Sequence, residues 1–419
     1  MSDMSSMNRE RKKRELKRQM ISTPGQAQAI QEEAAAGGGM GGRKKKKHIF
    51  LKLLILAVLA AGLGLGARYY FLERQFMDYR VVWEVPIEEG GTVGYESFGT
   101  NVLKYTKDGM SYIDSQGKTV WMQSYEMKNP SACVNGDYAV VADRQGNTLF
   151  ICDVNGVLGQ ASTVLPIIKA AVSQTGIAAS VLEDSAASYI QYYNRDGSSI
   201  DLSIKAVLSG DGYPLDIALS PDGNQTIASY MRVDGGELKN RVVFYDFSEI
   251  GKNQKHLVGG FDDEFAETIA ARVVYPDSTH ALAFTDRGIR FFSAKNQAAV
   301  ELTAQVDVDE TIETVFYSEE YAGIILRTSG GENPYRLQLY RVNGDEVFQQ
   351  EFNFQYKQVD ISEDMVILYN EEACLIYSTG GSLKYSGRLG MEITKMNQGR
   401  SGTSVIVTGP QVMKEIRLQ

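Results

Sequence analysis

The feature that most constrains the fold is a series of short apolar runs, each bounded by turn-forming residues, that continues from about Tyr79 to the end of the 419-residue chain. The runs are rich in Val, Ile, Tyr and Phe, which favour strands, and Gly, Asn, Asp and Ser fill the turns between them. Long helical periodicity and the alternating strand–helix pattern of a parallel sheet are both absent. The pattern predicts an all-β domain.

Two classes of turn recur and set the period of a repeat. A turn that contains glycine follows the third strand of each unit, and Gly117, Gly156 and Gly197 of this class are 39 and 41 residues apart. Gly344 and Gly381 are 37 residues apart, and the intervals in the middle of the chain are longer. A period near 40 residues with four short strands in each unit is typical of a β-propeller blade.

The first strands of the units give the number of blades. They lie near Val93, Ser131, Lys169, Leu215, Ala270, Glu313, Val359 and Thr394. The eighth unit lacks an outer strand, and the run Arg80–Ile87 ahead of the first unit can pair there and close the ring. We therefore predict one β-propeller over residues 80–419, with eight blades and with seven as the alternative.

The second strand of most units is a continuous apolar run, as in Ala139–Ala142 and Ile227–Tyr230. A strand that packs between neighbouring blades is buried on both faces, so it needs no polar side of its own. We expect these strands to form the core.

Some turns and tryptophans resemble those of known propeller families. The segment Tyr112–Trp121, with Gly117 in its turn, resembles the blade motif of quinoprotein-like eight-bladed propellers, and Trp83 occupies a similar position. The turn Leu219–Gly223 resembles one seen in TolB-like and WD40-like propellers. The whole layout resembles an uncharacterised group of membrane-anchored propellers of Gram-positive bacteria, grouped as a domain of unknown function. The resemblance implies the fold and no activity, and two Trp are too few to imply quinone binding.

Charge is segregated along the chain. Residues 1–48 contain twelve Lys and Arg against five Asp and Glu, whereas residues 53–419 contain 30 basic and 47 acidic residues. The segment between them, from Ile49, is apolar, and Leu53–Ala67 has no charge. We predict a transmembrane signal-anchor helix at 49–71, a juxtamembrane linker at 72–79, and a disordered basic tail at 1–48.

The basic cluster Arg43–Lys47 lies directly before the apolar segment, which predicts a cytoplasmic N-terminus and an extracytoplasmic propeller in the cell membrane. Cleavage after Ala67 as a signal peptide is the alternative. We expect the tail to bind anionic lipid of the bilayer rather than nucleic acid, for which no motif is present. Gly62 and Gly66 have the spacing that allows a homodimer of membrane helices.

A search for catalytic or metal-binding chemistry finds no nucleophile motif, zinc motif or phosphate-binding loop. His256 and His280 are isolated, and Cys133, Cys152 and Cys374 are interpreted as small buried residues that form no disulfide. Two acidic clusters stand out, Asp262–Glu264 and Asp307–Glu310; we interpret both as solvated turns, with cation binding as the alternative. No catalytic, cofactor-binding or metal-binding residue is therefore assigned.

Two functions remain open. The first is a non-catalytic, membrane-tethered binding, scaffold or sensor module for a cell-envelope protein or polymer. The second is an envelope hydrolase or lyase that acts on glycan or peptide at the central face of the propeller. The absence of a nucleophile–base set favours the first, and whether the chain is an enzyme is left undecided.

Overall fold

A computed structural model of the chain describes residues 52–64, 66, 74–87, 92–99, 101–114, 116–252 and 256–419. Residues 52–64 are helical. Within the described part of the chain, no helix is both long enough and apolar enough to cross a membrane. The predicted tail at 1–48 and both ends of the predicted anchor at 49–71 lie outside the described residues.

From Tyr79 onwards the structure consists of short antiparallel strands, numbered in chain order. The strands of the first half are β1 Tyr79–Pro86, β2 Thr92–Phe98, β3 Asn101–Thr106, β4 Gly109–Ile113, β5 Thr119–Ser124, β6 Pro130–Asn135, β7 Tyr138–Asp143, β8 Thr148–Asp153, β9 Gly156–Ser162, β10 Ile167–Val172, β11 Ala178–Glu183, β12 Ala187–Tyr193, β13 Ser199–Val207, β14 Tyr213–Leu219, β15 Gln225–Asp234 and β16 Glu237–Asp246. Those of the second half are β17 Leu257–Phe261, β18 Ala270–Val274, β19 His280–Thr285, β20 Gly288–Ser293, β21 Glu301–Asp307, β22 Thr311–Tyr317, β23 Tyr321–Arg327, β24 Tyr335–Arg341, β25 Glu346–Phe352, β26 Gln358–Ile361, β27 Met365–Tyr369, β28 Ala373–Ser378, β29 Leu383–Arg388, β30 Lys395–Gln398, β31 Ser404–Thr408 and β32 Val412–Leu418.

These strands form eight four-stranded sheets, so the prediction of an all-β propeller with eight blades is confirmed and the alternative of seven is wrong. Blades 1 to 7 each take four consecutive strands, starting from β2. Blade 8 has the order β1-β32-β31-β30, because β1 supplies its outer strand. Tyr79 pairs with Leu418 and Pro86 with Val412, which closes the ring as the sequence predicted.

The core lies between the blades. Buried apolar side chains form eight clusters, one at each interface between neighbouring blades. Phe244, on the third strand of blade 4, is fully buried and packs edge-to-face on Phe292 of blade 5 at a ring-centroid distance of 5.1 Å. The second strands of blades 2, 5 and 6 are buried along nearly all of their length, as predicted, because each one is covered by a neighbouring blade on both sides.

The recurring glycines have a structural role at these interfaces. Gly344 has φ of 96° in the turn after the third strand of blade 6, and a Cβ on it would lie 2.7 Å from the Cβ of Ala304 on the outer strand of blade 5. Positive φ and close approach both require glycine here. At an equivalent turn, the Trp121 indole of blade 1 donates a hydrogen bond of 3.1 Å to the carbonyl of Val154 in blade 2.

Blade 4 departs most from the repeat, and it explains the longer intervals in the middle of the sequence. Its strands β15 and β16 are ten residues long each, and the connection to β17 contains the helical turn Glu249–Lys252. A 3₁₀ turn, Asp263–Phe265, follows β17.

Candidate functional site

The first strands of the blades surround a central channel with a volume of about 1150 Å³. Each blade contributes at least one titratable side chain to its wall. In blade order from 1 to 8, these include Glu96, Cys133, Lys169, Asp216, Arg272, Tyr317, Asp360 and Lys395. Because the channel gathers side chains from all eight blades, it is the candidate functional site.

β-Bulges aim three of the charged side chains into the channel. The pairing of the first and second strands shifts register just before Lys169 in blade 3, before Asp216 in blade 4 and before Arg272 in blade 5. A bulge inserts one extra residue and turns the following side chain towards the other face of the strand. Three otherwise apolar strands therefore present charges at equivalent positions on neighbouring blades.

On the wall formed by blades 3 and 4, Lys169 and Asp216 form an ion pair. Asp216 is 3% exposed. Its carboxylate also accepts hydrogen bonds from the backbone N–H groups of Ile217 at 2.8 Å and Val273 at 2.9 Å. A carboxylate held by a cation and two backbone donors is well compensated for its burial, and its oxygens are already occupied.

The wall formed by blades 7, 8 and 1 contains a second ion-paired group. Lys395 Nζ lies 3.2 Å from Asp360 Oδ2 and 4.0 Å from Glu96 Oε2. Burial opposes the charge on Lys395, but the two carboxylates and Tyr369 outweigh it, so the pKa of Lys395 is raised. Burial also raises the pKa of Asp360 and of Glu96, and the positive charge of Lys395 only partly offsets this.

Arg272 differs from Lys169 and Lys395 in having no ion-pair partner in the described part of the chain. Its side chain is exposed to the channel, and within the described residues it has no carboxylate within 4.0 Å. Its guanidinium lies over the ring of Tyr317 at 5.0 Å from the centroid. Burial raises the pKa of Tyr317, and the neighbouring positive charge of Arg272 acts in the opposite direction.

Opposite charges face each other across the channel. In a ring of eight, each blade faces the blade four positions further on. Lys169 therefore faces Asp360, Asp216 faces Lys395, and Arg272 faces Glu96, while Cys133 and Tyr317 occupy the two remaining facing blades. Burial raises the pKa of Glu96, and the positive charge of Arg272 partly opposes this rise. The two facing groups are therefore close enough to interact electrostatically.

The two ends of the channel differ. At the end where the first and second strands are joined, Gln174 of blade 3 donates a hydrogen bond of 3.0 Å across the opening to Glu319 of blade 6. At the opposite end, Arg144 and Tyr213 line the opening. Burial raises the pKa of Tyr213, and the charge of Arg144 counteracts this. A side-chain hydrogen bond therefore crosses the end of the channel at Gln174 and Glu319.

Comparison with known protein families shows to which family the chain belongs. Residues 72–418 match the model of a family of unknown function, DUF5711. The chain is a member of DUF5711. A comparison with curated proteins found no match.

Several solved propellers are similar to this DUF5711 chain in fold. BamB from Moraxella catarrhalis has a TM-score of 0.51 at 10% identity, covering 81% of this chain and 100% of that one. Sqt1 from Chaetomium thermophilum has a TM-score of 0.55 at 11% identity, covering 82% and 100%. The Dos1 propeller has a TM-score of 0.50 at 10% identity, covering 81% and 95%. At these identities the likeness concerns the fold alone.

The three cysteines of the DUF5711 chain are free, as predicted. Cys152 and Cys374 are fully buried between blades, and burial raises the pKa of each thiol to about 12. The expectation that Cys133 is also a buried core residue is wrong. It is half-buried, because the first strand of blade 2 faces the channel, and burial of its thiol raises its pKa.

His256 and His280 each have a polar partner. His256 Nδ1 lies 2.8 Å from the backbone oxygen of Asp246, and His280 Nδ1 lies 2.7 Å from Asp277 Oδ2 in the turn before β19. Neither is a channel residue.

In the two acidic clusters three carboxylates form ion pairs with arginines, and all the acids except Glu310 are exposed, which agrees with the interpretation of both as solvated segments. Asp262 lies 3.7 Å from Arg232 and 3.6 Å from Arg241. Asp307 pairs with Arg290 at 2.7 Å, and Glu310 forms an ion pair with Arg336. Over the described residues, no three His, Cys, Asp or Glu side chains are grouped so as to hold a metal ion.

Proposed function

We propose that this chain is a non-catalytic, membrane-tethered module whose propeller lies outside the cytoplasm and binds a cell-envelope protein. In this proposal residues 49–71 anchor the chain, the basic residues of 1–48 stay at the cytoplasmic leaflet, and the acidic propeller faces the envelope. The charge difference between residues 1–48 and 53–419 supports this orientation.

The observation behind the binding role is a ribbon that projects from blade 4. β15 and β16 pair along their full length, up to Asp234 and Glu237 at the tip. β14 follows β15 only as far as Met231, and β17 joins β16 only from Val242. Residues 232–241, which we call the blade 4 ribbon, therefore have an open strand edge on each side.

An exposed apolar pair lies next to the tip of the blade 4 ribbon. Val233 and Leu238 are cross-strand partners with 68% and 58% of their surface exposed. Arg232 and Arg241 hold the base of the ribbon to Asp262. An isolated two-stranded ribbon is only marginally stable in water, and an apolar pair on it gains little unless a partner covers it.

The open edges favour a protein as the partner. An extended segment of a partner can add to a free strand edge through main-chain hydrogen bonds, with side-chain contacts at the apolar pair. Peptide binding also occurs among propellers of similar fold, since Sqt1 was solved bound to the N-terminus of ribosomal protein L10, with a TM-score of 0.53 at 11% identity.

The central channel argues against hydrolysis as the main role. Asp216 and Asp360 each have a cation partner, and Glu96 lies at the limit of ion-pair distance from Lys395. The raised pKa of the Cys133 thiol keeps it protonated, which makes it a poor nucleophile.

Site-directed crosslinking in intact cells tests the binding role. A photoreactive residue at Glu237, which is exposed at the tip of the ribbon, is expected to capture one envelope protein in the full-length chain, and the same residue at Val164, which is 97% exposed, serves as the control. Adding the double substitution V233S/L238S to the Glu237 probe should abolish capture without lowering the unfolding temperature. Equal capture at Glu237 and Val164, or capture that survives V233S/L238S, would refute the ribbon as the binding surface.

Membrane tethering is tested separately. The full-length chain should sediment with membranes and resist extraction by high salt, whereas a variant lacking residues 49–71 should be released. A protease added to intact cells after removal of the wall should digest the propeller; full protection there would contradict the proposed orientation.

A further inference from the structure

The charges in the channel do not all cancel locally. On one wall Lys169 and Asp216 neutralise each other, which leaves Arg272 as an excess positive charge. On the opposite wall Lys395 and Asp360 neutralise each other at 3.2 Å, which leaves Glu96, whose oxygen is 4.0 Å from the same lysine, as an excess negative charge. Among the charged side chains that the described first strands present to the channel, Arg272 and Glu96 are therefore the two without a close ion-pair partner, and they lie on blades that face each other.

Arg272 and Glu96 do not form an ion pair with each other. No guanidinium nitrogen of Arg272 lies within 4.0 Å of a carboxylate oxygen of Glu96. The open space of the channel lies between blades 5 and 1, which carry these two residues. The two groups lie in a partly desolvated region, where electrostatic interactions are stronger than in bulk water. Burial raises the pKa of Glu96, which indicates that its negative charge is incompletely compensated.

The surroundings of these two groups suit a small polar ligand. The Tyr317 ring supports the guanidinium of Arg272 and fixes it on the channel wall. An arginine held in this way binds a carboxylate through paired hydrogen bonds. The carboxylate of Glu96 accepts hydrogen bonds from an ammonium group in the same manner. A ligand with only one of the two charges would leave the other wall uncompensated.

We propose that the central channel binds a small zwitterion, a molecule that carries a free carboxylate and a free ammonium group, between Arg272 and Glu96. Free amino acids and short peptides belong to this class. The carboxylate binds Arg272 and the ammonium group binds Glu96, and the ligand enters beside Arg144 and Tyr213, since the other end is crossed by the hydrogen bond between Gln174 and Glu319. This inference does not depend on the membrane tether or on the blade 4 ribbon.

Isothermal titration calorimetry on the purified full-length chain tests the proposal with ligands of increasing charge separation. The series is glycine, β-alanine, 4-aminobutyrate and 6-aminohexanoate, and the controls are butyrate and butylamine, which each carry one of the two charges. We expect binding to be tightest for one member of the series and at least about tenfold weaker for both controls. Equal affinity for a zwitterion and for butyrate or butylamine would refute the proposal, as would the absence of binding along the whole series.

Two variants identify which residue holds which end. R272Q and E96Q should each weaken the best zwitterion by about 10- to 100-fold, since each removes a charged hydrogen-bond partner. R287Q and E267Q are matched controls. Arg287 and Glu267 form an exposed ion pair with a nitrogen–oxygen distance of 3.6 Å, and neither residue lines the channel, so both variants should bind the zwitterion as tightly as the wild type does. Unchanged affinity in both R272Q and E96Q would overturn the assignment.

The single-charge ligands keep the test decisive if a variant fails to fold, because they use the wild-type chain. In a folded E96Q variant the zwitterion should bind no better than butyrate does. If the zwitterion still exceeded butyrate by the wild-type ratio, Glu96 would not be the ammonium partner and the proposal would be wrong.

Discussion

The interfaces between blades and the central channel are built from neighbouring strands of the same sheets, yet they differ in chemistry. At the interfaces, second and third strands bury apolar side chains on both faces, as Phe244 and Phe292 do between blades 4 and 5. In the channel, first strands expose charges such as Arg272 and Glu96. The first region accounts for stability, and the second region is free to vary its side chains for binding.

The largest expected effect that separates the two regions is the loss of an interface aromatic. Phe244→Ala removes a fully buried ring and should lower the free energy of unfolding by about 3–5 kcal/mol. Arg272→Gln, in the channel, should change it by less than about 1 kcal/mol, because the side chain is exposed. Urea denaturation measures both, and an Arg272→Gln variant as damaging as Phe244→Ala would remove the distinction.

The channel wall of blades 7, 8 and 1 should behave as an intermediate case. Lys395→Met leaves the buried Asp360 carboxylate without its cation and should cost about 3 kcal/mol. The double variant Lys395→Met with Asp360→Asn removes both charges and should recover most of that loss. If the double variant were as unstable as the single one, lost packing rather than an uncompensated charge would be the cause.

A smaller effect concerns alkaline pH and the interface thiols. Burial raises the pKa of Cys152 and Cys374 to about 12, whereas the unfolded thiols titrate near 9. Because the folded pKa is the higher one, the stabilisation is complete below pH 9 and is lost as pH rises towards 12. Because each thiol ionises more readily in the unfolded chain, it should lower the free energy of unfolding by about 1 kcal/mol between pH 9 and pH 10.

The double variant Cys152→Ala with Cys374→Ala measures this contribution. Its free energy of unfolding should fall less steeply than that of the wild type between pH 9 and pH 10, although the buried tyrosines retain a slope of their own. Identical slopes in the two proteins would show that the thiols ionise as easily in the folded state as in the unfolded one.

The two regions also differ in how well the sequence predicts them. The apolar run Ile227–Tyr230 and the turn glycines recur with the blade period, so strand positions, blade number and ring closure followed from the pattern. The channel did not follow, because its residues are single charges inside strands of different length. Asp216 and Lys395 are 179 residues apart in sequence, and only the closed ring brings their blades to face each other.

The sequence did not predict the β-bulges or the blade 4 ribbon, and the reasons are related. A register shift before Lys169 or Arg272 depends on the pairing of two strands, which a single sequence does not contain. The role of Cys133 was misjudged because a thiol among Ala and Val resembles a core residue until the face of its strand is known. Gly235 and Gly236 adopt positive φ in the turn of the ribbon. Two adjacent glycines are consistent with a turn, but they do not indicate that the ribbon extends past both neighbouring strands.

The central claim is that first strands of facing blades meet across an open channel in a closed ring of eight. Crosslinking between facing blades tests it most directly, in a chain that carries Cys133→Ala, Cys152→Ala and Cys374→Ala so that no native thiol reacts. Glu96→Cys of blade 1 and Arg272→Cys of the facing blade 5 should give an intramolecular crosslink with a short bismaleimide, seen by mass spectrometry of the tryptic peptides. Glu96→Cys combined with Glu267→Cys, on an exposed loop outside the channel lining, should not. A crosslink of Glu96→Cys to Glu267→Cys but not to Arg272→Cys would contradict the ring.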